Sequence, residues 1–226
     1  MSGSTNRDGV ISRGIVTPVI QPGDDLQEIV ISCVERANGG EFCDSDIIGV
    51  TEAVVAISQK NFVSHQNITD DISRKFAGAT SLVIVDPIQS RNRFMDALKA
   101  IAKTPTLSKI FIAMTYPSDE VGNHLVSNKA IRKAGINPYT DILSRDDFYE
   151  KFGEPKHPFT GKNYIAEYEN ACGGKAEVIL CNDFSKLVEY TGCEDYLVCS
   201  IHRRQETVED LEAAGAKRIL TLADIM

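Results

Sequence analysis

The chain has no basic surplus. Its 24 lysines and arginines face 32 aspartates and glutamates, a net charge of -8 and a pI near 5.1. A general nucleic-acid binder needs cationic excess to neutralise phosphates, so that class is excluded, although a local basic cluster still suits a small anion. No stretch nears the roughly 18 apolar residues of a membrane span, and the opening "MSGSTNRDGV" holds no apolar targeting core. A cytoplasmic protein is therefore expected. None of the six cysteines forms a CxxC pair, which removes the zinc-knuckle and thioredoxin-like spacings. Cys33, Cys181 and Cys199 sit inside apolar runs and read as small core hydrophobes. Internal repeats, low-complexity tracts and long linkers are missing, as are GxGxxG, HExxH and GxSxG. "HPFTGKN" imitates a P-loop tail, but Asn163 replaces the required Ser or Thr and no strand precedes it. Covalent catalysis therefore has no motif to stand on.

What is present is alternation. Residues 1 to 10 read as a loose tail, and residues 11 to 226 as one α/β domain with an elaborated helical segment. "GIVTPVI" reads as extended, with Pro18 favouring an edge. Asp25 with Glu28 forms a cap signature, and Gly39-Gly40 closes the helix between them. "DIIGV" reads as a strand, with Thr51 as N-cap of "EAVVAISQK", although Val54 to Ile57 suits strand equally. "SLVIV", "KIFIAM", "EVILC", "YLVCSI" and "RILTL" read as strands separated by amphipathic stretches. Residues 145 to 171 read as helical, interrupted by "GEPKHPFTG". Strands alternating with helices imply a mixed, largely parallel sheet with flanking helices.

Parallel sheets bind ligands at the carboxyl ends of their strands. The polar exits are Thr51-Glu52, Asp86 with Ser90-Arg91-Asn92-Arg93, the stretch from Thr115 through Asp119-Glu120 to Asn123-His124, Asn182-Asp183, and His202-Arg203-Arg204. A helix starting near Ser90 would present its free amides, Arg91 and Arg93 together, which suits a phosphate or carboxylate. Asp86, with Asp119 or Glu120, suits a hard divalent cation bridging phosphate oxygens. Each feature also has a plainer reading. Asp86 caps a turn while the arginines pair with surface acids, and Ser118 caps a helix whose first turn holds Asp119 and Glu120. His202 and Arg203 hold an anion or merely open a solvated helix.

"QPGDDLQEIV", "DSDIIGVTEAVVAISQKNFV", "SRNRF" and "YPSDEVGNHL" resemble the coenzyme F420-0:L-glutamate ligase (gamma-glutamyl ligase) superfamily, especially its short bacterial members. Gly23-Asp24-Asp25 match the family's "GDD", Asp46 matches an acidic residue before its second strand, and Asp86 to Arg93 is similar to its metal-binding "TDTNGR" region. Ile57 and Gln59 stand where the ligases' "VVSKAEGR" has lysine and glutamate. The resemblance implies a GTP- and magnesium- or manganese-dependent amide ligase, an intertwined homodimer, acting on a small carboxylate and an amino acid. Its expected residues are Asp86, Arg91 and Arg93 in catalysis. Thr51, Glu52, Ser90, Asn92, His202 and Arg203 would join the two arginines around the nucleotide, with Asp86, Asp119 and Glu120 at the metal. A non-catalytic anion- or nucleotide-binding regulatory protein on the same scaffold is the alternative.

Overall fold

A computed structural model describes residues 12 to 225 except 41, 43 and 90 to 92, and gives Arg93 by its backbone alone. By contact the chain divides into two compact units, residues 1 to 63 and residues 64 to 226.

In the first unit, α1 (Leu26–Asn38) begins where the Asp25 carboxylate accepts the Glu28 amide and ends at Gly39 with φ +71°, the left-handed cap glycine favours. Thr51 is the N-cap residue of α2 (Glu52–Ser58), which settles Val54 to Ile57 as helix. The expected strand "DIIGV" does not form. Residues 46 to 50 are irregular, and Ile47 is 95% exposed. The segment around Pro18 joins no strand either. An apolar run alone does not specify a strand; it needs a neighbouring ladder to satisfy its backbone.

The second unit holds α3 (His65–Lys75), β1 (Ser81–Val85), α4 (Arg93–Ala102), β2 (Lys109–Met114), α5 (Asn128–Lys133), β3 (Leu143–Ser144), α6 (Arg145–Phe152), α7 (Tyr164–Ala171) and β4 (Ala176–Leu180). A 3-10 turn (Phe184–Lys186) then leads into α8 (Leu187–Thr191), β5 (Asp195–Val198), α9 (Arg204–Ala213) and β6 (Arg218–Thr221). The strands make one mixed sheet in the order β3-β4-β2-β1-β5-β6, parallel except where β3 meets β4.

Both faces of β1 are covered, so its run is continuous rather than alternating. Leu82 and Ile84 pack with Ile72 of α3 and Phe76 just after it, Phe94 and Leu98 of α4, and Ile165 and Tyr168 of α7. Val83 and Val85 pack the opposite way, with Phe184, Leu187 and Leu211 of α9. The helix after β1 thus lies on one face and the helix after β5 on the other. Because β1 and β5 are neighbours, the chain reverses its winding direction between them. That reversal opens a crevice at their carboxyl ends. Among the described residues, no helix is long and apolar enough to cross a membrane.

Candidate functional site

The ladders continue one step beyond the strands. The Asp86 amide donates to Ala113 O at 2.9 Å, and the Cys199 amide donates to Val85 O at 2.8 Å. Asp86 and the β5 exit are therefore held side by side in the crevice. Asp86 turns sharply there with φ +53°, a left-handed conformation that aspartate tolerates better than most side chains, at a cost of about 1 kcal/mol.

Its side chain is only 6% exposed. Oδ2 faces Arg203 Nη2 at 3.9 Å, whereas Oδ1 has no hydrogen-bond partner among the described residues. Burial pushes this carboxyl above the usual carboxylate range, and the negative charge of Glu120 adds to that. A hydrogen bond from Ser200 and the cations Arg203 and His202 pull against it without prevailing. A buried acceptor without a donor is uncommon and calls for an ion or water.

Arg203 is held in turn. Its guanidinium lies over the Phe184 ring, 5.2 Å from the centroid, and its amide donates to Ser200 Oγ at 3.2 Å. It is the N-cap residue of α9 and makes no side-chain cap hydrogen bond, so the first amides of that helix have no side-chain acceptor from Arg203. His202 is exposed just before it.

Glu120 approaches from the β2 exit, where its Oε2 accepts the Gln89 amide at 3.1 Å. Gln89 is fully buried, and among the described residues neither its Oε1 nor its Nε2 has a partner.

Asp119 behaves differently from its neighbour. Oδ1 accepts the amides of Val121 (3.0 Å) and Asn123 (2.7 Å), while Oδ2 accepts Asn123 Nδ2 (2.8 Å) and His157 Nε2 (2.8 Å). Burial would raise its pKa, but those hydrogen bonds outweigh burial and hold the carboxyl below the usual range. These contacts close a turn, and the helix capped by Ser118 that the sequence also allowed is not there. Both Asp119 oxygens are thus engaged by donors of the protein itself.

Asp86, Glu120, His202 and Arg203 thus converge in the second unit. Thr51 and Glu52 open α2 in the first. Ser90, Arg91 and Asn92, together with the Arg93 side chain, lie outside the described residues. The β4 exit serves packing: Asn182 receives the Tyr116 amide at 3.0 Å and donates to Pro138 O at 3.0 Å. Sequence reading missed Ser200, Gln89 and His157. Ser200 stood two positions before the basic pair, and that nearness was the only available signal. The groove of about 410 Å³ beside α4 and α7 is lined by Asp96, Lys99, Lys162 and Glu167, and an exposed Lys99–Asp96 pair at 3.5 Å marks it as solvated surface.

The family model for F420-0:Gamma-glutamyl ligase matches residues 14 to 188. The chain belongs to the F420-0:gamma-glutamyl ligase family. Membership gives it a ligase-type function with small-molecule substrates. The match includes Asp86, Gln89, Asp119, Glu120 and His157 but ends before β5, so the Ser200, His202 and Arg203 half of the crevice lies beyond it. No curated protein and no solved structure matches the chain.

Proposed function

We propose that the chain joins the amine of an amino acid, glutamate foremost, to a small carboxylic acid, using a nucleoside triphosphate and a divalent cation. In such a reaction a carboxylate oxygen attacks the terminal phosphorus and the nucleoside diphosphate leaves. The amine then attacks the carbonyl carbon of the acyl phosphate, phosphate departs, and one proton is released.

One observation carries the proposal: the buried Oδ1 of Asp86, without a hydrogen-bond partner among the described residues, stands at the winding reversal within electrostatic reach of Glu120 and Arg203. The donors fit a hard cation, since both are carboxylates. Among the described residues, no group of three or more His, Cys, Asp or Glu is placed to hold a metal ion. A pair of carboxylates suits magnesium or manganese, which typically take one or two carboxylates and complete their shell with water and phosphate oxygens. When bound, the cation would offset charge on the transferred phosphoryl group.

The chain's own residues have separable tasks. Asp86 and Glu120 present oxygen ligands. Arg203, preorganised by Phe184 and Ser200, and the α9 amides receive phosphate oxygens, with His202 adding charge at the rim. Arg91 and Arg93 would complete the clamp from the β1 side; they enter here from sequence alone.

Ile57 and Gln59, standing where the ligases carry lysine and glutamate, favour a second reading, a regulatory nucleotide binder without turnover. Equilibrium binding of labelled GTP and ATP, with and without magnesium, tests the shared part. Saturable, metal-dependent binding of either is expected, and its absence for both would end the proposal. Phosphate release in the presence of glutamate and a panel of small acids separates ligase from binder.

A further inference from the structure

The connector between α6 and α7, residues 153 to 163, contains a fully buried histidine with a direct line to the crevice. We infer that His157 is a positioning residue for Glu120, acting through Asp119. This rests on the metal-binding role proposed above for Glu120.

The proton on His157 is assigned by its partners. Nδ1 accepts the amides of Phe159 at 3.3 Å and Thr160 at 3.2 Å, so Nε2 carries the hydrogen and donates to Asp119 Oδ2 at 2.8 Å. Both side chains have 0% exposure. The connector is itself tied into a turn, with the His157 amide donating to Lys162 O and the Gly161 amide donating to His157 O, each at 2.8 Å.

The contacts then run in a closed circuit. The His157 and Tyr164 rings stand perpendicular, with centroids 5.4 Å apart and planes at 88°. Tyr164 packs against Tyr168 at 5.8 Å, and the Tyr168 hydroxyl donates to Ile88 O at 3.1 Å. The next residue, Gln89, gives its amide to Glu120, and Glu120 adjoins Asp119 in the chain. The exits of β1 and β2 are thereby referenced to one another through the connector. Glu120 does not hang from a free loop; its direction is fixed from both ends. Removing the Nε2 donor opens the circuit at the joint nearest Glu120 and leaves Oδ2 of Asp119 with Asn123 as its remaining hydrogen-bond donor.

Residues that orient metal-binding groups typically change metal affinity by about 10- to 100-fold. The test is manganese binding by the full chain in the presence of GTP, followed through the EPR signal of free Mn2+. His157→Phe, which keeps the ring contact with Tyr164, should weaken binding about tenfold or more. His157→Gln, which offers both a donor and an acceptor, should restore it to within about threefold. In a Glu120→Gln background, His157→Phe should add less than about twofold, because its effect passes through Glu120. If His157→Phe does not fold, Asn123→Ala removes the other side-chain donor to the same oxygen and should weaken binding about threefold. Wild-type affinity in His157→Phe, or in Asn123→Ala where that variant stands in, overturns the inference. So does an equal loss with and without Glu120. If the wild-type chain binds no manganese, the metal site itself fails, an outcome distinct from a bound metal indifferent to His157.

Discussion

Arg203 Nη2 lies 3.9 Å from Asp86 Oδ2, joining the exits of β5 and β1 across the point where the sheet reverses its winding. The pair is loose for an ion pair, and Asp86 keeps a raised pKa despite it. An arginine so placed is available to a phosphate. Arg203→Ala should lower GTP affinity at least about tenfold, about 1.4 kcal/mol. Arg203→Lys should recover only part, since an ammonium lacks the planar fork that stacks on Phe184. A fluorescence titration with labelled GTP measures both.

Asp86 should trade stability for binding. Its folded-state pKa lies above the ordinary 3.8, so the folded chain holds this proton more tightly than the unfolded one. By linkage, stability falls as pH rises from the unfolded value through the raised folded value, and the penalty is complete above it. Asp86→Asn removes the penalty, and asparagine tolerates the same positive φ. The variant should melt at a higher temperature than wild type near neutral pH, with a gap that narrows on acidification, and should lose metal-dependent GTP binding. Calorimetric melting across pH checks the first part.

Asp119 has the opposite sign. Its pKa is held below 3.8, so its contribution is present above that value and lost as pH falls through the lower folded value. Asp119→Asn would place an amide donor among donors and should destabilise the neutral protein by roughly 3 kcal/mol. It should also flatten acid unfolding. Urea denaturation of wild type and variant over a pH series reads both effects.

Among the described residues, the cysteines at 33, 172, 181, 193 and 199 are all free and buried. Burial pushes the Cys172 and Cys181 thiols up to about 12, far from thiolate at pH 8. Alkylation of the native protein, followed by peptide mass mapping, should leave these five unmodified until denaturant is added.

The sheet was legible because buried parallel strands write themselves as unbroken apolar runs: "SLVIV" and "KIFIAM" form strands throughout, and of "YLVCSI" the first three residues do, the strand ending at Val198. The helix α3 was not anticipated, because its sequence "HQNITDDISRK" is mostly polar and only Thr69, Asp71 and Ile72 are buried. "DIIGV" misled for the converse reason, being apolar without a partner ladder. At the site, Asp86, Glu120 and Arg203 were legible as strand exits. The division of labour between Asp119 and Glu120 was not, because adjacent carboxylates look alike until one of them meets a histidine 38 residues away. Ser200 and Gln89 gain their meaning from register and burial, which no local pattern encodes.

The central claim is that a divalent cation sits between Asp86 and Glu120 and faces a phosphate held by Arg203. The most direct measurement is the anomalous difference map of a crystal grown with manganese and a non-hydrolysable GTP analogue. One peak about 2.1 Å from a carboxylate oxygen of each residue is expected, with a phosphate oxygen in its shell. A well-ordered crevice without a peak, or manganese bound only elsewhere, would contradict the claim.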